Sequence, residues 1–236
     1  LPAMKTNLAI HITGGATVGK FAPPLSHFEK VLFPLLSRMG YSPALEIVSH
    51  GFYPKGGAEV VVVSPKVVEL TPLHIQDRGS VVELSLYSLA SEDLQKKAVC
   101  ERQIKGALSH LVGKLHVPEK KDEAYVASRC SGSSLQLVLE TTTTVFGSDS
   151  LGEKKVRAED VGVQAASSLL KSWERGAVDE HTADMLLPYL AIVGEGSLCV
   201  PEITNHIRTN IRVIEAFLPV CFRIEENKLF VEKIRQ

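Results

Sequence analysis

His206 stands in a segment whose residue types could do chemistry on phosphate. The run Thr204-Asn205-His206-Ile207-Arg208-Thr209-Asn210 leaves a predicted strand and enters a predicted helix. We expect His206 just ahead of the helix N-terminus, where backbone N–H groups and the helix dipole attract phosphate. A neutral imidazole can attack phosphorus, and Arg208 would stabilise negative charge that builds in the transition state. The alternative is an ordinary loop histidine before a helix capped by Thr209 or Asn210, and the segment alone leaves both open.

A second histidine, His181, lies in the run Asp179-Glu180-His181-Thr182-Ala183-Asp184. His181 and Asp184 are three residues apart, so a helix would place them on one face. A carboxylate there could raise the pKa of the histidine or orient its ring. The alternative is the acid-rich first turn of a helix, favoured by the helix dipole, with a solvated histidine.

The glycine-rich run from Gly14 to Lys20 matches a phosphate-binding loop only as far as its lysine. Such a loop needs Ser or Thr next, to hold Mg²⁺, and then a helix that starts at the phosphates. Here Phe21 follows, and Ala22-Pro23-Pro24 prevents a helix from starting at the lysine. We therefore expect a glycine turn and an extended Pro-Pro segment, whose rings form a rigid apolar wall suited to a flat base.

The composition limits the class of protein and the kind of partner. The 236 residues carry 26 Lys+Arg, 27 Asp+Glu and a net charge of -1, and 44% are hydrophobic, which excludes a disordered or globally basic chain. A phosphate-binding surface would have to be local. The four cysteines lack C-x-x-C spacing, and free thiols in a reducing cytoplasm are expected rather than disulfides or a zinc site. No apolar run is long enough for a membrane span, and no signal peptide is recognised.

Hydrophobic periodicity predicts a mixed α+β protein. Strands are expected at 8–12, 44–48 and 58–63 around a helix that begins near Ser26, and a long helix is expected over 92–112. Residues 79–148 are interpreted as an inserted α+β module between units 1–78 and 149–236. After the insert we expect helices over 158–173 and from Asp179, a strand over 198–203, a helix over 211–217 and a C-terminal hairpin.

These segments together resemble the RNA 3′-terminal phosphate cyclase family, in order and spacing, over nearly the whole chain. The residues that carry the resemblance are Gly14-Gly15 with Ala22-Pro23-Pro24, Phe33-Pro34-Leu35-Leu36 with Met39-Gly40, the run from Gly51 to Val60, Glu180-His181-Thr182-Ala183-Asp184, the run from Thr204 to Asn210, and Phe217-Leu218-Pro219-Val220. The resemblance implies repeated units of a four-stranded sheet with two helices, plus a small insert. It also implies that a first repeat precedes this segment, so the chain is expected to be a fragment.

The resemblance also implies an activity, its substrates and roles for individual residues. A histidine takes AMP from ATP with Mg²⁺ or Mn²⁺, passes it to an RNA 3′-phosphate, and the 2′-hydroxyl then closes a 2′,3′-cyclic phosphate. His206 would be the nucleophile. His181 and Pro23 would flank the adenine, with Asp184 and His27 in the same pocket, and Lys20 and Arg208 would be possible phosphate contacts. No metal ligand is assigned, and RNA would be held by its end and backbone in a local basic cleft.

Two other functions remain as alternatives. A non-catalytic ribosome-biogenesis scaffold of the same fold lacks the nucleophilic histidine, so the presence of His206 favours the enzyme. A carboxyvinyl transferase shares the repeated architecture but needs no histidine nucleophile, and the run from Gly51 to Val60 argues against it.

Overall fold

A computed structural model describes residues 6–20, 22–67 and 69–234. In chain order its elements are β1 (Leu8–Thr13), α1 (Leu25–His27), a π-helical turn (Phe28–Leu32), α2 (Phe33–Arg38), β2 (Ala44–Ser49), β3 (Glu59–Ser64), β4 (Leu73–Ile75), β5 (Val81–Ser91), a 3₁₀ helix (Glu92–Lys97), α3 (Val99–Leu111), β6 (Glu119–Val126), β7 (Ser133–Thr141), β8 (Val145–Leu151), α4 (Ala158–Arg175), α5 (Glu180–Val193), β9 (Glu195–Cys199), α6 (Asn205–Phe217), β10 (Val220–Glu225) and β11 (Lys228–Lys233). The prediction of a mixed α+β fold is confirmed.

The first sheet is antiparallel, with strand order β1-β3-β2. A continuous helical run, α1 to α2, connects β1 to β2. It widens into the π-helical turn just before Pro34, because proline has no N–H to donate to the carbonyl four residues earlier. The run buries Leu32, Leu35 and Leu36 in the larger hydrophobic core.

The second sheet has strand order β10-β11-β9-β4, and its β4 strand lies parallel to β9. Helices α5 and α6 pack on this sheet in the same core as the α1–α2 run. One unit of four strands and two helices consists, in chain order, of β4, α5, β9, α6, β10 and β11. This unit matches the repeat that the resemblance implies, but it is interrupted between β4 and α5.

The interruption is the third sheet, with strand order β6-β5-β7-β8 and helices α3 and α4 packed on it around a second core. The two helices approach closely where glycines face each other. A Cβ at Gly106 would lie 2.1 Å from the Glu159 carbonyl oxygen, and one at Gly162 would lie 2.0 Å from the Gln103 carbonyl oxygen. The compact inserted unit therefore runs from β5 through α4, over residues 81–175.

Several predicted boundaries differ from the structure, among them the strand predicted over 198–203, which is β9 at Glu195–Cys199. The predicted helix over 92–112 is broken at Ala98, whose φ of 48° separates the 3₁₀ helix from α3. Residues 141–144, between β7 and β8, form a turn in which the Thr141 side chain bonds the backbone of Thr144. The predicted division at 148/149 falls inside β8, which is hydrogen-bonded to β7 along its length.

All four cysteines, Cys100, Cys130, Cys199 and Cys221, are unpaired. Over the described residues, every helix is too short or too polar to cross a bilayer.

Candidate functional site

A cavity of about 720 Å³ opens where the inserted unit meets the two flanking parts of the chain. Its walls come from Gly19, Lys20, Ala22 and Pro23, the end of β8 and the residues after it, and the first turns of α5 and α6. The predicted residues that line it are Lys20, Pro23, His181, Asp184 and His206. Residues from opposite ends of the chain are thus brought to one place, as the resemblance implies.

His206 is the second residue of α6 rather than a residue ahead of the helix. The helix begins six residues earlier than expected because Thr204, not Thr209 or Asn210, is its N-cap, and the Thr204 side chain accepts from the Ile207 N–H at 3.2 Å. His206 is exposed at this terminus and faces the cavity. The first N–H groups of a 13-residue helix lie beside it and contribute a local positive potential.

Asn210 joins α6 to α5 instead of capping a helix. Its side-chain amide donates to Asp184 Oδ1 at 2.5 Å. This bond fixes the orientation of the Asp184 carboxylate at the edge of the cavity. The second carboxylate oxygen has no bond to Asn210 and remains an acceptor for a ligand amino group.

His181 and Pro23 both line the cavity, but His27 does not. His27 has 0% exposed area and lies behind His181, with its ring edge-on to that of His181. The expectation that His27 lines the nucleotide pocket is therefore corrected, because a fully buried ring cannot touch a ligand in the cavity.

Buried hydrogen bonds hold His27 in this position. Asp179, the N-cap of α5, accepts from the Thr182 N–H, from the Thr182 hydroxyl and from the Gly147 N–H at 2.9, 2.7 and 2.9 Å. Because that hydroxyl donates to Asp179, its oxygen accepts from His27 Nε2–H, 3.1 Å away. Burial lowers the pKa of His27, against the opposing attraction of Asp179, so the ring is neutral.

Lys20 and Arg208, the two predicted phosphate contacts, differ in position. Lys20 lines the cavity and forms an ion pair with Glu153 at 3.3 Å. Arg208 is exposed and lies outside the cavity walls. It comes two residues after His206 on the helix, a rotation of about 200°, which turns it to the other side of α6.

Two glycine-rich segments support the Lys20 wall by packing on each other. The Thr17 N–H donates to the Gly51 carbonyl at 2.8 Å, and a Cβ at Gly56 would lie 2.2 Å from the Gly15 carbonyl oxygen. Gly56 also has a φ of 60°, which favours glycine. No helix begins at Lys20, and α1 starts only at Leu25, so the segment is a turn and not a phosphate-binding loop of the P-loop kind.

Asp149 is a cavity residue that sequence reasoning missed. Burial raises its pKa to about 6, while His181 lowers it and Asp179 raises it further. The polar run Gly147-Ser148-Asp149-Ser150 gave no strand signal, although it lies in β8. The Asp149 carboxyl therefore holds its proton to a higher pH than an ordinary aspartate.

The charged lining of this cavity is mainly acidic. Asp149, Glu153, Glu180 and Asp184 face it, against Lys20 as the cation. The basic cleft expected for RNA is therefore not at His206. Within residues 6–20, 22–67 and 69–234, no three His, Cys, Asp or Glu side chains are grouped closely enough to hold a metal ion.

The fold and the cavity define the chain first as an α+β protein with a nucleotide-sized site, in which an exposed histidine lies at a helix N-terminus. The family model described as RNA 3′-terminal phosphate cyclase matches residues 1–224. The chain belongs to the RNA 3′-terminal phosphate cyclase family.

Curated relatives give the same result. The RNA 3′-terminal phosphate cyclase of Halobacterium salinarum is 35% identical over 91% of this chain, and that of Pyrococcus abyssi is 35% identical over 95%. The protein of the same name from Pseudomonas fluorescens is 34% identical over 93% of this chain. The chain spans 60%, 66% and 62% of the length of these three relatives.

Proposed function

We propose that this chain carries the adenylation site of an ATP-dependent ligase that converts an RNA 3′-terminal phosphate into a 2′,3′-cyclic phosphodiester. The observation that supports it most is that His206, His181, Pro23 and Asp184 line one cavity of about 720 Å³. That volume lies within the range of about 300–1,000 Å³ typical of small-molecule sites.

In this proposal His181 and Pro23 lie on either side of the adenine. A flat base is held well between an aromatic ring and an apolar proline ring, since both bury its faces. The Asp184 carboxylate, oriented by Asn210, accepts a hydrogen bond from the base. His27 supports His181 from inside the protein and does not contact the ligand.

His206 is the proposed nucleophile. Its neutral ring nitrogen attacks the α-phosphorus of ATP, a P–N bond forms, and the bond to the β-phosphate breaks to release pyrophosphate. An oxygen of the RNA 3′-phosphate then attacks the same phosphorus and breaks the P–N bond. Finally the adjacent 2′-hydroxyl loses its proton, attacks the 3′-phosphorus and releases AMP. The two reacting groups lie on one ribose, so proximity supplies much of the rate.

A divalent cation, Mg²⁺ or Mn²⁺, is part of the proposal as a companion of ATP. The described residues build no three-ligand metal cage, and Mg²⁺ usually takes most of its ligands from substrate phosphates and water. When bound, such a cation would neutralise charge on the leaving pyrophosphate. The four carboxylates of the cavity make it unfavourable for bare phosphates, which is consistent with nucleotide that arrives as its metal complex.

The alternative of a non-catalytic scaffold predicts no nucleophile in the cavity, whereas His206 is exposed there.

The four unpaired cysteines suit a reducing compartment, and we place the activity in the cytoplasm.

An RNA ending in a 3′-phosphate tests the proposal directly. With ATP and Mg²⁺, the wild-type protein should produce a 2′,3′-cyclic end that resists phosphatase. His206→Ala should lose this product, and His116→Ala, an exposed histidine outside the cavity, should retain it. A wild-type protein that binds RNA and ATP but forms no cyclic end would favour the scaffold.

A further inference from the structure

The inserted unit contains a second cavity, of about 350 Å³, that no predicted site residue lines. It lies between the start of α3, the 131–133 loop and the segment that leads from β8 into α4. Its cationic residues are Lys97, Arg102, Lys154 and Arg157, and its acidic residue is Glu153. We call it the basic cavity. The charged residues that line it are mainly positive, whereas those of the cavity at His206 are mainly negative.

Two helices also begin at the basic cavity. Val99 and Ala158, the first residues of α3 and α4, both line it. Neither helix has a side-chain N-cap bond, and the helices are 13 and 18 residues long. The dipoles of these helices add to the positive potential made by the four cations. Not every N–H group in their first turns is free, since that of Cys100 donates to the Tyr125 hydroxyl at 3.0 Å.

The cations differ in how firmly they are held. Arg102 is fixed by two hydrogen bonds to Glu159, at 2.9 and 2.8 Å. The side chains of Lys97 and Lys154 are exposed and make no hydrogen bond or salt bridge in the described part of the chain, although the Lys97 backbone carbonyl accepts from Arg102 at 3.5 Å. These two long side chains can therefore reach toward an anionic ligand.

The basic cavity adjoins the site at His206. Glu153 lines both cavities, and also a smaller one of about 110 Å³ between them. Lys20 lines the small cavity and the His206 cavity, and Val156 lines the basic cavity and the His206 cavity. An extended ligand bound at His206 thus has a path over the Lys20–Glu153 ion pair into the basic cavity.

We propose that the basic cavity binds the phosphodiester backbone of the RNA strand, upstream of the 3′-phosphate that reacts at His206. This inference rests on the proposed function, and it assigns RNA contact to the inserted unit. No aromatic side chain is among the described residues that line the cavity, so bases have no ring to stack on. Binding is therefore through phosphates and has little dependence on base sequence.

The test compares two charge reversals in the whole protein. Lys97→Glu/Lys154→Glu changes two cations of the basic cavity. Lys105→Glu/Lys114→Glu changes the net charge equally at two exposed positions on and just after α3, outside the basic cavity. Fluorescence anisotropy with a labelled, 3′-phosphorylated single-stranded RNA of about ten nucleotides reports affinity, and a salt series gives the number of phosphate contacts.

The first variant should bind this RNA at least about tenfold more weakly than wild type. The slope of the logarithm of its binding constant against the logarithm of the salt concentration should be smaller in magnitude by about 1.4, since each of two lost single-strand phosphate contacts contributes about 0.7. The control variant should stay close to wild type, and RNAs of different base sequence should lose affinity equally. Thermal melts check that both variants are folded, and Lys97→Ala/Lys154→Ala is used if the reversal does not fold.

Three results would overturn the inference: unchanged RNA affinity in the first variant, equal losses in both variants, or a loss of ATP affinity instead of RNA affinity. Transfer of AMP to protein from ATP alone tests the proposed function separately, and the first variant should retain it. If the wild-type protein forms no such adduct, the adenylation proposal fails. The proposed RNA surface still stands in that case if RNA affinity falls in the first variant and not in the control variant.

Discussion

The ring of His27 meets the ring of His181 edge-on, with centroids 6.0 Å apart and planes at 89°. One ring is buried and the other lies at the cavity surface. Through Thr182 and Asp179, the buried ring is tied to α5 and to the Gly147 backbone of the inserted unit. The orientation of the proposed adenine wall therefore depends on a hydrogen-bonded cluster that no ligand touches.

Removing the His27 ring should weaken nucleotide binding without removing a ligand contact. In His27→Ala, His181 loses an edge-to-face contact worth about 0.5–1.5 kcal/mol, so the Kd for AMP should rise about 2- to 10-fold. Stability should fall by about 2–4 kcal/mol, because a cavity forms and Thr182 loses a donor. Calorimetric titration at a temperature where the variant is folded measures the Kd. His27→Gln, which can keep the donor, should recover much of the stability, and an unchanged AMP affinity in His27→Ala would refute the positioning role.

Acid should destabilise the protein through His27. Burial holds the pKa of this histidine below its ordinary 6.5, so the unfolded chain takes up a proton more readily than the native state. The stabilisation is present above pH 6.5 and is lost as the pH falls through the lowered native pKa. Thermal melts between pH 7.5 and 5 should show a falling Tm in the wild type and a flatter profile in His27→Gln. Parallel profiles would show that another group dominates.

Asp149 should have the opposite pH dependence. Burial raises its pKa to about 6, so its contribution to stability is present below the ordinary value of 3.8 and is lost as the pH rises through 6. Above pH 6 the native state has to hold a partly buried carboxylate. Asp149→Asn should therefore raise Tm at pH 8, by roughly 2–4 °C for each 1 kcal/mol recovered.

The same comparison at low pH completes the Asp149 test. Near pH 4 the wild-type carboxyl is protonated, and the gain from Asp149→Asn should disappear. Asp122→Asn, at an exposed position of β6, should change Tm little at either pH. A gain of equal size at both pH values would mean that the effect does not come from ionisation.

The α3–α4 contact should tolerate no side chain at its glycines. A Cβ at Gly162 would lie 2.0 Å from the backbone of Gln103, so the helices would have to separate. Gly162→Ala should lower the unfolding free energy by about 1–3 kcal/mol or more, although alanine favours helix in general. Denaturant melts of Ser109→Ala, at an exposed position of α3, give the matched control, which should be neutral or slightly stabilising. A neutral Gly162→Ala would show that the helices are not in close contact.

The sequence identified the site better than it identified the boundaries around it. Lys20, Pro23, His181, Asp184 and His206 were predicted to act together, and the structure brings all five to one cavity. Their common site was implied by the resemblance, which rests on short motifs that a sequence shows directly, whereas each motif alone left its role open.

The start of α6 depended on a choice that the local sequence leaves open. Thr204, Thr209 and Asn210 are all good N-caps, and Asn210 is unavailable because its amide bonds Asp184 on α5. Asp149 was missed for a related reason: the turn at Thr141–Thr144 is made by hydroxyl-to-backbone bonds within a run of β-prone threonines. Because the sequence does not reveal that turn, it also does not reveal that a separate strand, β8, starts after it and carries Asp149.

The arrangement of the units was also beyond local periodicity. Strand β4 pairs with β9, although 119 residues separate Ile75 from Glu195. Only the tertiary structure shows that residues 81–175 interrupt a unit that begins at β4. The resemblance implied that His27 lines the pocket, and packing instead buries it behind His181.

The most direct test of the central claim is the covalent capture of AMP on His206. The protein is incubated with Mg²⁺ and ATP labelled at the α-phosphate, then denatured and digested, and the labelled peptide is sequenced. An acid-labile label is expected on the peptide that contains His206, lost in His206→Ala and at least partly retained in His181→Ala. Label that persists in His206→Ala, or that maps to another residue, would show that His206 is not the nucleophile.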